Sequence, residues 1–176
     1  SGNGVAAVTN VDGTKLVNVD ASGLNSVDAA GKATAGLTYV SDNTSAETIK
    51  LGAGLDNVTL NASTYGKVDV VSGLNLVLNA GGTALDLTKS DVLTVANVAL
   101  TAASKGFTTT QTDLQLALKD AAAYSAANGG ADLAFHQGGN TYVFHDAGTA
   151  GLIDAADTVV QLTGQVNLDA LVVALA

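Results

Sequence analysis

Cysteine, methionine, tryptophan, proline and arginine are all missing from this chain of 176 residues. Zero cysteine removes disulfides, thiol nucleophiles and thiolate metal sites together, and suits a protein exported unfolded into an oxidising medium. Zero methionine, start residue included, points to a fragment or a processed chain. Aromatic residues amount to 4%, four tyrosines and three phenylalanines, too few to floor a sugar-binding cleft. Positive charge is scarce as well. Seven lysines face sixteen acids, for a formal charge of -9. That balance excludes the basic footprint a nucleic acid needs and disfavours an anionic membrane surface. No apolar run approaches the roughly 18 to 20 residues that span a bilayer.

What is present is apolar and small. Hydrophobic residues make up 47% and charged ones 13%, so the chain can bury a core and is no solvated tail. Twenty glycines accompany fifteen aspartates and one glutamate, Glu47. Aspartate and glycine favour turns and oxygen-ligand sites, whereas helical proteins hold their negative charge mostly as glutamate.

Residues 1–105 read as many short strands. Apolar β-branched residues alternate with small polar ones in "KLVNVDASGL", "AETIKLG", "DNVTLNAS" and "GKVDVVSG", with frequent Gly, Asn, Asp and Ser breaks. Placing Asp42–Lys50 above Leu51–Thr59 sets Glu47 over Asp56 and Ile49 over Val58, nine residues apart. Asp69 with Val71, and "GGTALDLTK" with Asp86, give looser copies. A nine-residue unit of this kind is half a coil of a parallel β-roll: glycines make the turn, and the eighth residue enters the interior. Stacked turns can gather carboxylates and carbonyls around calcium, which takes six to eight hard oxygens. The same aspartates also turn well with no metal.

The unit "LGAGLDNVT" resembles the nonapeptide of RTX (repeats-in-toxin) proteins, and "VDVVSG…LDLTKSDVL" resembles the segment that closes their β-rolls. The resemblance implies a Ca2+ cofactor held around Gly52, Gly54 and Asp56, with Asp69 and Asp86 contributing. Glu47 and Asp42 occupy matching turns but depart from the pattern.

Residues 106–176 change character. Thr110 or Thr112 caps an expected helix over about 111–127, ended by Asn128-Gly129-Gly130. Leu133–His136 and Thr141–His145 flank a glycine turn and read as a hairpin; a last strand spans Asp157–Gly164 before an apolar tail. The order helix, "GGNTYVFHDAG", "DAADTVVQLTGQVNLDAL", apolar terminus is similar to the C-terminal segment of Gram-negative surface-layer and related type I-secreted proteins. In that family this segment is the uncleaved export signal.

Other groups carry two readings each. Asp146, Asp154 and Asp157 form a cation site or a solvated hairpin rim; Asp12, Asp20 and Asp28 form ligands or turns. His136 and His145 form a transition-metal pair or ordinary cross-strand neighbours. A threonine-array ice-binding solenoid is disfavoured, because Thr48, Thr59 and Thr64 keep no common register. No enzyme is expected, since G-x-S-x-G, H-E-x-x-H and G-x-x-x-x-G-K-[ST] are all absent.

The expected fold is mainly β: a calcium-supported parallel β-roll or β-solenoid, then a small α+β unit of one helix, a hairpin and a last strand. The expected function is structural, the C-terminal part of a calcium-dependent, self-assembling surface layer on a bacterial cell, secreted by a type I system. Its partners are identical chains in a homo-oligomer or lattice, the export apparatus, and a cell-surface polysaccharide reached through an N-terminal region. A calcium-binding export or adhesion module of a larger adhesin or hydrolase is the alternative.

Overall fold

In the computed structural model, residues 4–11 and 16–176 are described. Seven short strands come first: β1 (Ala6–Asn10), β2 (Asn18–Asp20), β3 (Ala35–Ser41), β4 (Thr48–Lys50), β5 (Leu55–Leu60), β6 (Asp69–Ser72) and β7 (Val92–Val95). A 3-10 turn (Ala102–Lys105), helix α1 (Leu114–Ala127), strands β8 (Leu133–Gln137), β9 (Asn140–His145) and β10 (Thr158–Leu162), and helix α2 (Leu168–Ala174) follow. The first seven strands alternate between two sheets, and β8, β9 and β10 all join the second. One is all-parallel with order β1-β3-β5-β7; the other has order β2-β4-β6-β10-β9-β8 and is mixed.

The inward residues of both sheets make one apolar cluster: Leu37, Tyr39, Val58, Leu60, Leu93 and Val95 from the parallel sheet, Ile49, Val71, Val143, Val160 and Leu162 from the mixed one. Leu171 and Leu175 at the C-terminal helix join it. The hairpin end of the mixed sheet is covered on its other face by α1, whose Ala117, Leu118, Ala121 and Ala122 pack with Leu133, Phe135 and Phe144. The small alanine face lets the helix approach the aromatics closely.

These observations overturn the expected fold class. Ten strands and two helices form an α/β fold with one parallel and one mixed sheet, rather than a β-roll or β-solenoid with an α+β appendage. Two physical reasons stand out. A roll requires equal coils, but Ala6 lies beside Leu37, Thr38 beside Asn57 and Asn57 beside Val92, separations of 31, 19 and 35 residues. The mixed sheet also runs through residue 105: β10 pairs parallel with β6 and antiparallel with β9.

Local expectations in the last third fare better. Helix α1 starts two residues after Thr112, with Asp113 as its cap: the carboxylate accepts the Leu116 N–H at 3.0 Å. The hairpin turn is Gly138-Gly139, at φ 57 and 83. Positive φ at both central residues is the two-residue turn whose twist matches antiparallel strands. Among the described residues no helix is long and apolar enough to cross a membrane.

Candidate functional site

The segment Leu51–Thr59 bends back on itself so that Asp56, second in β5, is sealed inside. Its Oδ1 accepts the Leu37 N–H at 2.6 Å and its Oδ2 the Gly52 N–H at 3.1 Å. One rung further, Asp91 repeats the device: Oδ1 accepts the Asp56 N–H at 2.9 Å and Oδ2 the Asn75 N–H at 2.7 Å. Leu37, Asp56 and Asp91 directly precede the aligned residues Thr38, Asn57 and Val92, so they form a ladder at the strand starts. In the mixed sheet Asp69 Oδ1 accepts the Glu47 N–H at 2.9 Å. The Asp69 N–H in turn meets Ser63 Oγ at 3.0 Å, and that hydroxyl donates to the Val159 carbonyl at 2.6 Å. Each side chain supplies the acceptor that a carbonyl supplies mid-ladder. A buried amide left without one is costly.

Glu47, Asp56, Asp69 and Asp91 are all at most 2% exposed. Burial pushes the Asp69 carboxyl up to about 7, with the Glu47 charge adding to the shift. Burial likewise lifts Asp91 to about 6, aided by Asp56. Desolvation disfavours the ionised form, and the donated amides only partly offset it.

Of the residues expected around calcium, Gly52, Gly54 and Asp56 do come together, and backbone crowding explains the glycines. A Cβ on Gly52 would strike the Leu24 carbonyl oxygen, and one on Gly54 would lie 2.8 Å from the Gly36 Cα. Asp69 belongs to the other sheet. Asp86 sits at the base of the small turn closed by the Leu78–Leu85 bridge. The Lys89 ammonium, 2.8 Å away, and the Thr88 hydroxyl and amide hold its carboxyl down to about 2. The five positions therefore do not converge. Among the described residues no three His, Asp or Glu side chains group as a metal site would.

The remaining candidates separate in the same way. Asp20 and Asp28 accept amides within their own turns, from Ser22 and from Ala30 and Lys32; Asp12 lies outside the described residues. In the loop after β9, Asp146 takes the Gly151 amide, Asp154 those of Thr149 and Ala156, and Asp157 those of Ala147 and Asp154. His136 pairs across the hairpin with Thr141, and its Nε2 meets the Val166 carbonyl. His145 instead faces Thr158 and is 2.6 Å from Asp132, whose other oxygen accepts the Ala99 amide. The two histidines do not meet as a metal pair.

Sequence reasoning missed two arrangements. A buried polar knot joins Glu47 Oε1 to the Tyr39 hydroxyl at 2.9 Å and to the amides of Asn10 and Asn43. Burial and then the bond to Glu47 push the Tyr39 phenol up to about 12. Glu47 at the aspartate position of its repeat was the available signal; Asn43 is local to it, but Asn10 and Tyr39 arrive from β1 and β3, which no local pattern joins.

The second arrangement is the outer face of the parallel sheet. Registers align Thr9, Val40, Thr59 and Thr94 in one row and Ala7, Thr38, Asn57 and Val92 in the next. All eight are exposed or half-buried, none is charged, and no described helix lies across β1, β3 or β5. All-parallel sheets are almost always covered on both faces. Of the four strands that make this face, the sequence reading picked out alternation in β5 alone, and the rows depend on unequal connections that sequence spacing does not reveal.

Compared with protein-family models and with curated proteins, the chain finds no match in either.

Proposed function

We propose that this chain is a structural, non-catalytic building block: the C-terminal part of a self-assembling bacterial surface layer, secreted through a type I apparatus, with folding coupled to calcium. One observation carries the structural role. A chain of net charge -9 keeps eight aligned positions of an uncovered parallel sheet free of charge. Uncovered, uncharged sheet surface is what repeated contacts between chains use. Surface-layer identity, export and calcium rest on the sequence motifs. The amide bonds made by Asp56, Asp69 and Asp91 compete with ion binding, so calcium coupling requires the ion to displace them.

A calcium titration of the purified chain, followed by circular dichroism and light scattering with magnesium as control, tests the proposal. A coil-to-β transition on the order of 0.1 to 1 mM, as for extracellular calcium modules, followed by large assemblies, is the expected result. Folding and assembly in chelator would remove calcium and keep the structural role. A folded chain that never assembles would remove the role itself.

A further inference from the structure

Resting on that structural reading, we infer that copies of this chain join head to tail, the β1 end of one seated in the groove beside β7 of the next. Of the eight large hydrophobic side chains exposed among the described residues, four (Val5, Val11, Leu16 and Val17) flank β1 and β2, the terminal strands at one end of the two sheets. Two more, Leu87 and Val92, lie at the opposite edge of the parallel sheet. There an open groove of about 420 Å³ is lined by Leu85, Leu87, Val92, Leu93, Val173 and Ala174. One end thus offers apolar projections and the other an apolar recess.

Backbone groups are arranged to match. The Asn10 carbonyl points at β3, accepting the Asp42 N–H, so by alternation Ala7 and Thr9 turn their peptide groups away from the sheet. At the other edge the Ala96 N–H points back at Leu60, so the peptide groups of Leu93 turn outward toward the groove. Among the described residues no strand pairs with either outer edge. Every strand of this sheet runs the same way. A copy displaced along the sheet therefore brings its β1 parallel to β7, as β3 lies beside β1, whereas a two-fold axis would set like edges antiparallel. A projection on one end that fits a recess on the other makes a heterologous contact that does not close, and growth continues. The occupant of the groove is a second copy of this chain.

Two charged variants at exposed positions, Val5→Asp and Leu87→Asp, test this by sedimentation and light scattering up to millimolar concentration. Circular dichroism first establishes that both stay folded. Wild-type mass is expected to rise without limit as concentration increases. Each variant alone is expected to stay monomeric, and an equimolar mixture to double in mass and stop, because only one intact projection can meet one intact recess. If wild type assembles and both variants do too, the contact lies elsewhere, and the head-to-tail inference falls while the structural reading stands. If only one variant blocks assembly, or the mixture stays monomeric, the joint is not head to tail and the inference falls in the same way. A wild type that is monomeric throughout removes the structural reading itself.

Discussion

The parallel strands and the C-terminal hairpin unit solve one problem, the pairing of backbone amides, with different chemistry. In the hairpin, β8, β9 and β10 are antiparallel neighbours in continuous register, and their own carbonyls close the ladder. Phe135 sits edge-on to Phe107 at 5.0 Å and stacks with Tyr142, so apolar packing holds the unit. In the parallel region the inter-sheet cluster has one buried aromatic, Tyr39, and unequal connections bring the strands together. Amides at or near the strand starts, those of Leu37, Glu47 and Asp56, are met by carboxylates of Asp56, Asp69 and Asp91. One region is held mainly by apolar packing; the other depends on buried carboxylates, of which Asp69 is raised to about 7 and Asp91 to about 6.

Removing a ladder carboxylate should break the parallel region hardest. In Asp56→Ala the amides of Leu37 and Gly52 lose their acceptor in a site 1% exposed. A loss of about 3 kcal/mol is expected in urea unfolding, from two unsatisfied buried donors. Asp56→Asn, which keeps one acceptor oxygen, should recover roughly half of that. A loss below about 0.5 kcal/mol, the range of ordinary surface substitutions, would mean that the ladder is incidental.

Asp69 sharpens the contrast through pH. Its carboxyl is raised to about 7 in the folded chain from an ordinary value of 3.8. The folded state therefore binds the proton more tightly than the unfolded one. The associated stability is complete below about pH 4 and is lost as pH rises through 7. Asp91, at about 6, acts in the same direction. Asp69→Asn keeps an acceptor for the Glu47 amide but carries no charge, so it should stabilise the chain at pH 8 by about 2 kcal/mol and change little at pH 4. Thermal melts across that range measure it. A cation bound at Asp69 would reverse the sign: wild type would then gain stability as pH rose, and Asp69→Asn would lose that gain.

Local chemistry was legible, and long-range spacing was not. The Gly138-Gly139 turn, the Asn128-Gly129-Gly130 stop and the β8–β9 hairpin each lie within a few residues and fold as read, although β9 is buried on both faces rather than alternating. The nine-residue unit comes nearest to the structure where it was read best, but even there Asp56 lies within β5 rather than in a turn. Thr38 and Asn57 are 19 apart, close to twice nine, and the Leu51–Thr59 copy falls there. Beyond it the separations reach 31 and 35, because long connections such as 73–91 intervene, and extrapolating one good copy into a roll failed. Asp56 was singled out as a calcium-site residue, and in the fold both its oxygens accept backbone amides. Its burial against Leu37, nineteen residues away, gives its oxygens backbone donors, which no spacing within the repeat reveals.

The smallest expected effect isolates burial from chemistry. Asp113 does for α1 what Asp56 does for β3, accepting a backbone amide, here Leu116 at 3.0 Å. The difference is exposure: Asp113 stands in solvent at a helix start. In Asp113→Ala, water reaches the freed amide, so only the cap is lost, about 1 kcal/mol. Asn or Ser at the same position should restore most of it, since both cap as well as aspartate does. If Asp113→Ala cost as much as Asp56→Ala in the same urea experiment, burial would not be what separates the two regions. The ladder acids would then be caps like any other.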